Sequence, residues 1–145
     1  MNYSRRDLGM LIPALAAVGC PTGAAAQDKR MLTSKIFKYE DLPVKANGQN
    51  KSRDAFDGET HTGYHIDLHL TELGPGQAPH APHHHVHEEL LMLQTGMLDI
   101  TIGGKTTRVT AGSIVYAASD EEHGWRNPGT EPAQYFVLAI GRDTA

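Results

Sequence analysis

From His80 to Glu89 the chain reads His-Ala-Pro-His-His-His-Val-His-Glu-Glu, which puts five of its nine histidines and two carboxylates within ten residues. Imidazole nitrogen and carboxylate oxygen are common side-chain ligands of divalent metals, so the chemistry open to this stretch is metal binding. In extended chain, residues two apart point to the same side. His83, His85 and Glu89 then share one face, whereas His84 and Glu88 point away. His87 has the same parity as the ligands, but a local bulge or bend turns such a residue aside, which leaves it in reserve. Three donors from one element leave a coordination shell incomplete. His123 is the donor available downstream, although a histidine standing alone there would ordinarily be a surface or loop residue.

The elements that must position these side chains read as short strands. Residues 64–73 alternate, with Ile66, Leu68 and Leu70 on one side and His65, Asp67, His69 and Thr71 on the other. Gly74-Pro75-Gly76 ends that strand, and Pro79 and Pro82 keep the approach to the histidines extended. Strands are expected at 89–94, 97–102, 105–110, 113–117 and 134–140, with Thr95-Gly96, Gly103-Gly104 and Ala111-Gly112 as turns. Nearer the amino end, residues 34–39 read as a first strand and 51–56 as a short edge strand turned by Asp57-Gly58. Nothing after residue 30 reads as a helix of ten residues or more. Many short strands with closely spaced turns imply an all-β antiparallel sandwich or barrel.

The first 26 residues are set apart. Arg5 and Arg6 precede an apolar run over 8–18 and then Ala24, Ala25 and Ala26, an order similar to a twin-arginine export signal. The expected division is a signal at 1–26, a polar linker at 27–33 and one domain at 34–145, exported to the periplasm or secreted. Pro13 interrupts the apolar run, which is short for a membrane span, and no stable span is expected after cleavage. Losing Arg5, Arg6 and Asp7 moves the net charge from −4 to −5. A mildly acidic domain lacks the electrostatic footprint for nucleic acid. The single cysteine, Cys20, lies within the signal, so the mature chain would carry neither a disulfide nor a thiolate nucleophile. Ala17-Val18-Gly19-Cys20 is a poor lipoprotein site, and lipid anchoring at Cys20 is the lesser alternative.

With both histidine regions in hand, the sequence resembles the cupin superfamily. Its first motif, G-x5-H-x-H-x3,4-E-x6-G, is matched by His83, His85, Glu89 and Gly96, with Gly76 one place early. Its second, G-x5-P-x-G-x2-H-x3-N, is matched by Gly112, His123 and Asn127, with Ala118 and Asp120 where proline and glycine are usual. Fifteen residues separate Gly96 from Gly112, as in compact bacterial members, and the resemblance spans about residues 36–140. It implies a double-stranded β-barrel, or jelly-roll, with His83, His85, Glu89 and His123 as metal ligands at its mouth. A homodimer is implied by the same resemblance.

Three imidazoles and a carboxylate leave two octahedral positions open, which suits Mn or Fe first, with Ni, Co or Zn possible. Trp125 shares the parity of His123 and is either a wall of the pocket or a core aromatic; Tyr116 is a similar candidate. His69 and His65 lie on the polar face of their strand and could reach the cavity, and Arg126 has the parity opposite to His123. The expected activity is that of a metal-dependent enzyme on a small organic molecule, a dioxygenase first and a lyase or isomerase next. The alternative of another class is a non-catalytic module that captures a small ligand.

Overall fold

The computed structural model describes residues 31–142. The expected signal, with Cys20 and most of the linker, lies outside them. The fold is an antiparallel jelly-roll of nine strands: β1 (Lys45–Asn47), β2 (Asn50–Glu59), β3 (His65–Leu73), β4 (Glu88–Thr95), β5 (Met97–Ile102), β6 (Lys105–Thr110), β7 (Ile114–Ala117), β8 (His123–Arg126) and β9 (Ala133–Ile140). Six strands pair in the order β1-β2-β3-β9-β4-β7, and three in the order β6-β5-β8. No α-helix occurs among the described residues; one turn of 3-10 helix spans Tyr39–Asp41.

Strand alternation decides what is buried. In β4, Leu91 and Leu93 face inward; in β9, Ala133, Tyr135 and Val137 do the same. They meet Leu98 and Ile100 of β5 and Trp125 of β8, which closes the core between the two sheets. Burying each large apolar side chain contributes about 1.5–3 kcal/mol, so this cluster is the main stabilising term. Trp125 donates its ring N–H to the Tyr135 hydroxyl at 2.8 Å, which satisfies a polar atom that the core would otherwise strand. Burial pushes the Tyr135 phenol up to about 12, and it stays protonated.

Turn chemistry follows the residues. Gly103 and Gly104 take φ of +53° and +78°, the left-handed pair that a two-residue hairpin between β5 and β6 needs. Gly96 has φ +81°, and a Cβ there would lie 2.9 Å from Ala133 Cα, so both conformation and space require glycine.

Two expectations at the amino end are corrected. Residues 34–39 form no strand, and the chain enters the 3-10 turn instead. Asp57-Gly58 does not end β2: Gly58 pairs with Ile66, beyond a bulge between Asp54 and Phe56 that shifts the register by one residue. Met31 bridges Glu59, and the Leu32 amide donates to the Glu59 carbonyl at 2.8 Å, so β2 already holds the chain ahead of residue 34.

Candidate metal centre

Glu89 faces inward because it lies on the inner side of β4 in phase with Leu91 and Leu93. Its cross-strand neighbours are Ala117 on β7 and Ala139 on β9, two small residues that leave room above the carboxylate. His123 opens β8 and is 1 % exposed. The segment carrying His83 and His85 is not part of β4, so strand parity is not what aligns them with Glu89. A single bridge does it: the His83 amide donates to the His123 carbonyl at 3.0 Å, and the His123 amide donates back at 2.8 Å. Gly124 lets this segment lie close to β8, since a Cβ there would meet Pro82 Cα at 3.0 Å.

The four side chains converge. Donor atoms of His83, His85 and His123 lie within 4.8 Å of one another. His85 Nε2 is 3.4 Å from Glu89 Oε1, and His123 Nε2 is 3.5 Å from Glu89 Oε2. The other ring nitrogens are engaged: His85 Nδ1–H donates to the His87 carbonyl and His123 Nδ1–H to the Glu121 carbonyl, each at 2.8 Å. Those bonds fix the tautomer and aim each Nε2 lone pair at the centre. His85 Nε2, His123 Nε2, Glu89 Oε2 and His83 Nδ1 are buried without a hydrogen-bond partner among the described residues. Four stranded polar atoms in one place are costly unless a cation satisfies them, so the donor set fits a divalent metal. Burial and then the neighbouring His80, His123 and His85 lower the pKa of His83, favouring the neutral ring that ligation requires.

Asp120 stands where the resemblance expects glycine. It adopts φ +60°, and its amide donates to the His85 carbonyl at 2.8 Å. Aspartate tolerates the left-handed region better than most residues, so the glycine-like turn before His123 is kept.

The remaining candidates separate clearly. Trp125 stacks on His123 at 6.1 Å and 18° while 8 % exposed, so it is both a wall of the site and part of the core. His80 adds an edge-on contact to His83 at 4.2 Å. His87 is not turned aside: the bend at 86–87 stacks its ring on His85 at 3.5 Å, with Nε2 3.3 Å from Glu89 Oε1. His69 lines a cleft that reaches Glu89 and His87, with its Nδ1 3.4 Å from Asp67 Oδ1. Tyr116 is not brought to the centre. It projects from the outer face of β7, half exposed, where a hydrogen bond with Glu88 raises its pKa. Arg126 is exposed and donates to the Gly76 carbonyl at 3.1 Å. Sequence reasoning missed the buried Glu59 and its ion pair with Arg142, residues 83 apart that carry no local signal.

Residues 69–140 match a family model described as a cupin domain. No curated protein matches the sequence. Among solved structures, KdgF from Halomonas sp. is similar at 14% identity over 77% of this chain and 97% of that one, TM-score 0.65. The polyketide cyclase RemF from Streptomyces resistomycificus is similar at 17% identity over 78% and 83%, TM-score 0.65. A predicted oxalate decarboxylase from Thermotoga maritima follows at 14% identity over 74% and 100%, TM-score 0.64. At such identities these likenesses speak for the fold alone. Family match and fold together support placing the chain in the cupin superfamily, with its cupin domain at residues 69–140.

Proposed function

We propose that this protein is an exported, metal-dependent cupin enzyme acting on a small organic molecule, with dioxygenase chemistry as the first reading. The observation that carries it is the convergence of four buried, unpartnered donors from His83, His85, Glu89 and His123 beside an open cleft. A divalent ion held there supplies a Lewis acid with open positions for a chelating substrate or dioxygen. Around it the chain's own groups act as positioners. Trp125 walls one side, His87 touches the Glu89 carboxylate, and Ala117 and Ala139 leave space at the mouth. Dioxygen uptake by the Fe(II)-loaded protein over catechols, flavonols and 2-oxo acids tests the reading. Substrate-dependent consumption supports it; binding without turnover across the panel assigns a capture module instead.

A lyase or isomerase is the second reading, and one observation favours it. His69, oriented by Asp67 in the cleft beside Glu89, is placed as an acid or base for a proton on a bound substrate. Conversion without dioxygen, abolished in His69→Gln, would decide for it.

The proposed export bears on the metal. Copper and zinc outcompete manganese and iron at nitrogen and oxygen sites, so a weakly held ion is best loaded in the cytoplasm and carried out inside a folded protein. Mn or Fe is therefore the expected occupant, and one equivalent of zinc or copper in protein taken from the native periplasm would overturn this.

A homodimer is proposed on the outer face of the large sheet. Leu68, Leu138, Leu90 and Tyr116 form one row across β3, β9, β4 and β7, and Leu70, Phe136, Met92 and Ile114 form the next. Ile114 is 70 % exposed and Tyr116 51 %. An apolar surface of two rows across four strands is the kind that a second copy covers. The variant Ile114→Glu is expected to halve the mass measured by light scattering, and a wild-type chain already monomeric at tens of micromolar would refute the pairing.

A further inference from the structure

Beside the proposed metal centre, on the Glu89 side, a cleft of about 410 Å3 is lined by His65, Asp67, His69, His87, Glu89 and Arg142, among others. Its walls come from the inner face of β3 and the end of β9. Gly141, at φ +103° with its amide bonded to the His65 carbonyl at 2.8 Å, turns the chain as it leaves β9 and sets Arg142 on the rim. Arg142 is the one permanently cationic side chain on the lining among the described residues.

That guanidinium is held in place. Arg142 Nε donates to Glu59 Oε1 at 2.8 Å, and a second nitrogen of the same side chain reaches the same oxygen. The Glu59 residue is 5 % exposed, and a carboxylate so buried needs a fixed countercharge. His65 backs the pair, with Nε2 2.9 Å from Asp57 Oδ1 and Nδ1 3.6 Å from Glu59 Oε1. Two of the five guanidinium N–H groups are thus spent on Glu59, and the side chain remains 40 % exposed. The rest of the fork has the planar geometry that matches a carboxylate. A flexible surface arginine would lose rotamer entropy on binding an anion; this one has already lost it.

We propose that Arg142, clamped by Glu59, anchors a carboxylate of the substrate whose other end is bound at the metal. The inference rests on the metal reading above and deepens it by naming a substrate class: a small acid with a metal-chelating oxygen pair at one end and a carboxylate at the other. His69 and Asp67 line the span between the two ends. The anchor acts in binding and orientation and takes no part in bond making.

The test uses the full chain loaded with Co(II), whose visible absorption reports ligands entering the metal's coordination. Lactate, which offers only the chelating end, is titrated beside malate, 2-hydroxyglutarate and 2-hydroxyadipate, which add a second carboxylate at increasing reach. At least one diacid is expected to bind tenfold or more tightly than lactate. In Arg142→Gln the ratio of that diacid's affinity to lactate's should fall to about one, while Arg142→Lys retains part of it. Because the ratio is internal to each variant, a general loosening of the site would not imitate the result. Equal affinities for lactate and every diacid in the wild type, or a diacid advantage that survives Arg142→Gln, would overturn the anchor while leaving the metal centre standing. Failure of the chain to bind Co(II) would overturn both.

Discussion

Exchange of Glu89 for Gln, or of His123 for Ala, is expected to weaken divalent metal binding by more than about a hundredfold, since even the partners outside the ligands cost about 10–100-fold. The reason lies in the geometry. Each Glu89 oxygen faces a different imidazole, Oε1 toward His85 and Oε2 toward His123, so the carboxylate is the shared contact of the cluster and its only negative charge. His123 is almost wholly buried, and its Nε2 is one of the stranded atoms of the cluster. Calorimetric titration with Mn(II) reads the loss directly. A second reading comes from thermal stability. A metal present at a hundred times its Kd stabilises the fold by about 2.7 kcal/mol. The wild-type melting temperature should therefore fall on adding a chelator, and that of either variant should not. Retention of one equivalent of metal with unchanged affinity in both variants would remove these residues from the site.

Replacement of Asn127 by Ala is expected to cost about 3–5 kcal/mol, because buried groups left without partners cost about 1–3 kcal/mol each. Asn127 is 0 % exposed. Its side-chain amide donates to the Leu73 carbonyl at 2.9 Å and to the Glu131 carbonyl at 2.8 Å, while its oxygen accepts from the Gly129 amide at 2.8 Å. Its backbone adds two more ties, to the Gly76 amide and the Gln77 carbonyl, each at 2.9 Å. One residue thus clasps the end of β3, the approach to the histidine segment and the loop after β8. For a domain of this size the loss corresponds to a fall in melting temperature of about 15–30 °C. Asn127→Asp keeps the acceptor but turns a carboxylate toward two carbonyls, so it should fare no better. A fall of under about 1 kcal/mol by chemical denaturation would show that the clasp is dispensable.

What could be read from the chain depends on how local the signal is. β5 and β6 match expectation to the residue, because alternation on both sides of Gly103-Gly104 is complete within a short window. The inward aim of Glu89 follows from the same alternation. For His83 and His85 the parity argument named residues that do converge but for the wrong reason, since a bridge to β8 holds them and they are not in β4. His87 shows the converse: one bend brought its ring onto His85 where parity with a bend had been expected to remove it. Gly58 within β2 was illegible because its pairing with Ile66 on β3 overrides a glycine that reads locally as a turn residue. The alternation at 34–39 carries no sign of whether another strand will pair with it, and the described chain there forms none. Arg142 and Glu59 meet only after both ends of the domain are in place.

The rung that joins His83 to His123 has an architectural meaning. Two ligands forty residues apart in the chain are spaced by the pitch of a β-ladder, so the intervening sequence is not what measures the distance between them. The open side of the β5–β6 turn at Gly104 has room for a side chain, since nothing lies within 4 Å of a Cβ there, whereas Gly103 is tied to the Glu122 carbonyl at 2.9 Å, one residue before His123. The coordination frame is thus set by rungs between strands, and the β5–β6 turn belongs to it through the pairing of Ile102 with His123.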